Sequence, residues 1–262
     1  MSPMPVAPPT HEEPVKIEIC KDPEDLARHA ANFIVGEAGR ALGRHSRFNV
    51  ALAGGSTPRA AYSLLTEEYL RFQIVWPAVH LFWSDERCVP PDHPDSNFRM
   101  AGETLISRVG IPETSVHRMR GEDDPARAAA SYQEDLRAHF GGDPVFDLVI
   151  LGMGADGHTA SLFPGTEALR HNDRDVTVGK APDGGNRLTL TFRTINAARR
   201  VAILATGEEK ADTIRRVLGK EERAEGLPIQ SVRPRDGQLL WLLDSAAASL
   251  LDPTPDSTDE PS

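Results

Sequence analysis

The segment Gly152-Met153-Gly154-Ala155-Asp156-Gly157-His158 holds the residues of this sequence best suited to do chemistry. Histidine is the side chain that most readily accepts a proton near neutral pH. A carboxylate two residues earlier can orient the ring or bind a substrate hydroxyl. Backbone N–H groups at a helix start behind the loop can steady a developing oxyanion. His158 is therefore the candidate general base, with Asp156 beside it. A turn-capping Asp next to a half-buried histidine has the same spacing, so the motif alone leaves both readings open. The segment also contains G-x-G-x-x-G. A dinucleotide fingerprint needs a full helix behind it and an acidic residue ending a second strand about 20 residues on. Here Pro164 interrupts any helix after about two turns. Asp175 lies behind the polar run His171-Asn172-Asp173-Arg174 and ends no apolar strand. The dinucleotide reading is rejected.

A second candidate is Ala53-Gly54-Gly55-Ser56-Thr57-Pro58. Gly54 and Gly55 let the backbone approach a ligand. The N–H groups and dipole of a helix start attract an anion, and the Ser56 and Thr57 hydroxyls add donors. This is a phosphate-binding pattern, although an ordinary tight turn with an N-cap fits it too. It is not a Walker A loop, because no Gly-Lys-Ser/Thr follows. Arg87 and Lys210 lie beyond two other strands and can complete a phosphate clamp, or simply be solvated surface cations. Other chemistries lack support. There is no G-x-S-x-G elbow and no H-E-x-x-H. The nine histidines are scattered without metal-ligand spacing, so no metal is expected. Cys88 reads as a bystander thiol.

The elements that must position these residues alternate. Strands are expected at Val15–Cys20, Phe48–Ala53, Val79–Trp83, Phe146–Leu151, Arg187–Phe192, Val201–Ala205 and Leu239–Leu243. Helices should start at Asp22-Pro23, at Thr57-Pro58 (N-cap and N1, running through Leu65), at Ser96 toward Ser107, at Pro125 toward Phe140, and after Gly207 through Leu218. A short helix should follow the last strand. This alternation implies a single α/β domain with an open, mostly parallel sheet covered by helices on both faces. Ligands of such sheets bind at the carboxyl ends of the strands. That rim collects Gly54–Pro58, Ser84–Asn97, Gly152–Pro164 and Thr206–Lys210.

The bulk properties narrow the classes. The chain has 262 residues, a formal net charge of −10 and a pI near 5.4. An acidic protein of this kind is not expected to bind nucleic acid or an anionic membrane, which need a basic face. Two cysteines, Cys20 and Cys88, make no disulfide framework. Met1–Pro14 lacks the apolar core of a signal peptide, and no run reaches the roughly 18 apolar residues of a membrane span. A cytoplasmic protein is expected, with a disordered arm over 1–14, one domain over 15–251 and a disordered acidic tail over 252–262. No obligate protein partner is inferred.

Taken in order, three motifs resemble the 6-phosphogluconolactonase family. They are Leu52-Ala53-Gly54-Gly55-Ser56-Thr57-Pro58; Trp83-Ser84-Asp85-Glu86-Arg87 with Ser96-Asn97-Phe98; and Leu151 through Gly165, which includes Asp156-Gly157-His158. Arg187–Phe192, Ile195–Ala198, Gly207–Lys210 and Val232–Gly237 also fit. The resemblance covers roughly residues 15 to 250. It implies a modified Rossmann-like α/β fold, shared with glucosamine-6-phosphate deaminases and ribose-5-phosphate isomerases. It also implies hydrolysis of 6-phosphoglucono-1,5-lactone in the oxidative pentose phosphate pathway, without metal or organic cofactor. His158 matches the family's base. Gly55, Ser56, Thr57, Arg87 and Lys210, with Gly54 and Gly157 in their loops, match positions that hold the sugar phosphate. Asp85, Asn97, Asp156 and Arg193 match positions lining the same cleft. The nearest alternative is the deaminase branch, which typically continues into Phe-Asn-Glu-Pro. Here the segment reads Ser161-Leu162-Phe163-Pro164, so Phe163 replaces the ionisable Glu. A non-enzymatic sugar-phosphate sensor would need a basic helix-turn-helix segment, for which this acidic chain has no room.

Overall fold

The computed structural model describes residues 15–219 and 226–251. The expected arm, residues 1–14, and tail, residues 252–262, lie outside the described residues. Strand β1 (Lys16–Cys20) leads into α1 (Pro23–Arg44). Asp22 accepts a hydrogen bond from Asp25 N at 2.8 Å and Pro23 fills the first turn, as the dipeptide signals. Then come β2 (Phe48–Leu52), α2 (Ser56–Leu64), a single turn α3 (Glu68–Arg71), β3 (Val79–Trp83) and β4 (Asp85–Arg87). α4 (Asn97–Thr104) is capped by Ser96, and α5 (Pro125–Phe140) by Asp124. β5 (Leu148–Gly152), β6 (Val176–Lys180), β7 (Asn186–Leu190), α6 (Phe192–Ile195), β8 (Arg200–Ala205), α7 (Ala211–Leu218) and β9 (Gln238–Asp244) complete the order.

Six strands form one sheet in the order β1-β9-β8-β5-β2-β3, and every pairing is parallel. β2 is buried along its whole length, as a strand must be when both faces of its sheet are covered. Phe48, Val50, Leu81, Trp83, Leu148, Ile150, Ile203 and Trp241 make the centre of the core. Among the described residues the edge strand β1 pairs only with β9, in the register Lys16 to Leu240 and Cys20 to Asp244. From β2 the chain moves outward to β3. From β5 it moves the opposite way, to β8 and β9. This reversal opens a crevice beyond the carboxyl ends of β2 and β5, which is where open α/β sheets bind ligands. The expected architecture is therefore the observed one.

A second sheet was not anticipated. β4, β7 and β6 pair antiparallel in that order, with Asp85 opposite Thr189 and Val178 opposite Leu188. Ser84 joins the two sheets. Its N–H donates to Leu52 O and its carbonyl accepts from Leu190 N, both at 2.8 Å.

Other expectations are corrected locally. α2 begins at Ser56, with Gly55 at the N-cap in a left-handed conformation (φ of 99°) and no side-chain cap, so Thr57 is not the cap. β7 stops at Leu190, and Phe192 starts α6. Turns rather than a helix follow β9; there the Asp244 carboxylate accepts from Ala247 N. Nor does a helix follow Gly152–His158, because residues 153–166 run in turns. That removes the helix-start donors expected for an oxyanion, and it also removes the dinucleotide reading. Among the described residues, no helix is long and apolar enough to cross a membrane.

Candidate active site

Four loops meet over the crevice. The first leaves β2. Tyr62 fixes it: its hydroxyl accepts from Ala53 N at 3.0 Å and donates to Ala53 O at 3.1 Å. Because Gly55 turns left-handed and no side chain caps α2, the first N–H groups of that helix stay available for an anion. Thr57 Oγ1 bonds Thr206 Oγ1 at 2.8 Å, which ties this loop to the one after β8.

The second loop rests on Glu86, a buried carboxylate. It accepts from Arg87 N, Asn97 N, Phe98 N and Ser96 Oγ at 2.7–3.0 Å. Burial raises its pKa, opposed by these four donors. Glu86 thereby holds the start of α4 and places Asn97, whose Nδ2 donates to Asp85 O at 2.9 Å. Asp85 Oδ2 accepts from Ser161 Oγ at 2.7 Å. Arg87 lines the cleft and donates to Asp95 O.

The third loop carries the dyad. Asp156 Oδ1 lies 2.5 Å from His158 Nδ1 and also accepts from the His158 backbone N–H at 3.1 Å. A carboxylate only accepts, so in the neutral ring Nδ1 carries the proton and Nε2 is left to accept one. The Phe163 ring packs over the imidazole, with centroids 4.4 Å apart. A Cβ on Gly154 would fall 2.2 Å from His158 Nδ1, so only glycine leaves room for the ring. Ala160, in the wall of the cleft, has φ of 47°, a left-handed conformation that strains a residue with a Cβ.

The fourth loop brings Lys210. Gly207 N donates to the Asp244 carboxylate at 3.1 Å, anchoring the turn, and Lys210 N donates to Gly207 O. Burial lowers the Lys210 pKa, partly offset by Glu209 and Asp244. A partly desolvated ammonium with no ion pair to an acid among the described residues is poised to take an anion.

The cleft between these loops has a volume of about 260 Å³. Of the residues expected from sequence, Gly54, Gly55, Ser56, Thr57, Asp85, Arg87, Asn97, His158 and Lys210 line it. Asp156 reaches it through His158. Gly157 supports the loop from behind: φ is 78° and its carbonyl accepts from Ile229 N. Arg193 is not brought in. It pairs with Asp143 at 2.7 Å and with buried Asp175 at 3.1 Å. Sequence reasoning missed Tyr62, Glu86, Ser161 and Thr206. Each acts on partners 9 to 149 residues away, and its motif, where it has one, does not name them. Cys88 is a free thiol whose pKa burial raises, consistent with a bystander.

Residues 21–241 match the family described as glucosamine-6-phosphate isomerases/6-phosphogluconolactonase. A 6-phosphogluconolactonase of Nostoc is 40% identical over 240 residues, covering 90% of this chain and 98% of its own length. One from Synechocystis is 38% identical over 243 residues, covering 91% and 99%. The solved 6-phosphogluconolactonase of Trypanosoma cruzi superposes with a TM-score of 0.83 at 33% identity, covering 91% of this chain and 97% of that one.

Proposed function

The chain belongs to the glucosamine-6-phosphate isomerase/6-phosphogluconolactonase family, and from that premise we propose how its cleft carries out the reaction. The protein is an enzyme that hydrolyses 6-phosphoglucono-1,5-lactone to 6-phosphogluconate, in the pentose phosphate pathway. The observation that carries the mechanism is the Asp156–His158 dyad facing a cleft that also holds an uncapped helix start and two cations.

The phosphate sits at the start of α2, held by the N–H groups and hydroxyls of Ser56 and Thr57, with Arg87 and Lys210 supplying charge. The lactone ring then extends toward the third loop. His158 Nε2 takes a proton from water while the oxygen of that water attacks C1. Asp156 stabilises the imidazolium through Nδ1, much as a carboxylate does in a hydrolase triad. The tetrahedral intermediate collapses by breaking the bond between C1 and the ring oxygen. The imidazolium returns its proton to that oxygen, leaving a hydroxyl at C5, and the new acid loses a proton to solvent. A lactone is a reactive ester, so no covalent nucleophile is needed.

Phe163 favours this branch over amine chemistry. The side chain stacked on the base is a phenyl that can neither donate nor accept a proton. Two free cysteines suit a reducing cytoplasm, where we place the reaction. The test couples glucose-6-phosphate dehydrogenase, which makes the lactone, to 6-phosphogluconate dehydrogenase, which reads the product. A faster second phase of NADPH formation, lost in His158→Ala, supports the mechanism. A His158→Ala enzyme with near-normal kcat overturns the assignment of the base.

A further inference from the structure

At the far side of the molecule the fold gathers three histidines that the reaction does not use. His80 is the second residue of β3, five residues before Asp85, which at the rise of an extended chain puts it roughly 15 Å from the catalytic rim. It shares a face of β3 with Phe82. His117 is laid alongside by a backbone bond from its N–H to Leu81 O at 2.8 Å, and its ring stacks on Phe82 with centroids 4.3 Å apart. His139 comes from the last turn of α5. His80 Nδ1 and His117 Nε2 are 3.1 Å apart, and one ring nitrogen of each of the three lies within 4.8 Å of the others.

We propose that His80, His117 and His139 form a binding site for a late first-row divalent metal, zinc foremost, separate from the catalytic cleft.

The geometry is close to what zinc requires. Zn–N bonds of 2.0–2.1 Å in a tetrahedron set ligand nitrogens about 3.4 Å apart, so the trio closes on an ion with side-chain shifts of about 1 Å. An all-imidazole set suits zinc, copper or nickel and not magnesium or calcium, which take oxygen. The three rings are half-buried, so an ion has access from solvent and water can take the fourth position. Asn49 Oδ1 accepts from His139 Nε2 at 2.8 Å, the kind of outer bond that fixes the tautomer of a ligating ring. Exposed Arg47 is the charged side chain whose field reaches His80 and His139, and it opposes a cation.

The test uses the whole protein, stripped with a chelator and titrated with zinc alone by calorimetry. One equivalent should bind. His80→Gln, His117→Gln and His139→Gln should each weaken binding at least tenfold while lactone hydrolysis stays within twofold of wild type, which also shows that the variants fold. Arg47→Ala, a surface change, should tighten binding several-fold. Cobalt(II) in the wild type should give the intense visible bands of four-coordinate nitrogen ligation. Absence of stoichiometric zinc uptake by the wild type overturns the proposal. So does binding that survives all three histidine variants, or that is lost instead in His29→Gln, which disrupts the other cluster (Cys20, Asp25, His29).

Discussion

Asn97 Oδ1 occupies the space that a side chain on Gly54 would fill: a Cβ there would lie 1.9 Å from it. The loop leaving β2 and the start of α4 therefore interlock through a missing side chain. A polar group from one loop is seated against the bare backbone of the other, and Asp85 and Glu86 hold it in place.

Gly54→Ala should force Asn97 out of this seat. Overpacking of this kind costs about 1–3 kcal/mol. The expected result is a lower melting temperature together with at least tenfold weaker binding of 6-phosphogluconate by calorimetry. Unchanged binding would show that the interlock plays no part in holding the sugar.

Gly154→Ala tests the opposite end of the cleft. Its Cβ would collide with His158 Nδ1 and, at 2.6 Å, with Asp156 Oδ1. The base should be displaced while the phosphate cradle stays intact. Steady-state kinetics should show kcat falling with affinity for 6-phosphogluconate retained. A fall in affinity equal to that in kcat would mean the two ends of the cleft are not separable.

His158→Ala should lower kcat by about 10²–10⁴-fold, the usual worth of a positioned base. Asp156→Asn keeps the shape but puts an amide N–H against Nδ1. That favours the tautomer with the proton on Nε2 and removes the charge opposing the imidazolium. Its kcat should fall between wild type and His158→Ala. Measuring all three at one pH gives the order directly.

Burial holds the Lys210 ammonium below its ordinary pKa, and a bound phosphate should raise it again. Affinity for 6-phosphogluconate is then fully present below the free-enzyme pKa of this lysine and is lost as pH rises through it. Calorimetry from neutral to alkaline pH should show that limb shifted upward in Lys210→Arg, whose guanidinium does not deprotonate in this range. A limb unchanged by the substitution would assign it to another group.

Asp175 is 1% exposed and accepts from Arg137 Nε at 2.7 Å and Arg193 Nε at 3.1 Å. Removing it leaves two guanidiniums without their shared partner. Because both are partly solvated, the cost should be about 2–3 kcal/mol, below that of a fully buried pair. Arg193→Ala should lower the melting temperature with little change in KM, consistent with its place outside the cleft.

The parts of this structure legible in the sequence are those written over a few residues. Asp22-Pro23, Ser96 and Pro125 each announce a helix start, and each stands at one. The apolar runs of β2, β3, β5, β8 and β9 announce a sheet covered on both faces. The glycine loops behind β2 and β5 announce the cleft. β6 escaped because Val176-Thr177-Val178-Gly179-Lys180 is short and follows a polar run, and its pairing with β7 becomes visible only when the hairpin is closed. Glu86 reads as one acid in an acidic stretch until α4 returns eleven residues later to place its N–H groups on it. His80, His117 and His139 have no ligand spacing along the chain, since a strand, a loop and a helix each supply one. Arg193 shows the converse. The motif around it fits, but the buried Asp175 claims its guanidinium.

The register that sets Lys16 beside Leu240 bears on how the chain is made. More than 200 residues separate the edge strand from the one strand it pairs with among the described residues. At ribosomal rates of about 5–20 residues per second, β1 waits roughly 10–40 s after its own synthesis before β9 emerges. Through that interval Ile17 and Ile19, 36% and 51% exposed even in the finished sheet, belong to an unpaired strand on a growing polypeptide. The order of translation thus leaves this edge of the sheet open until late in synthesis.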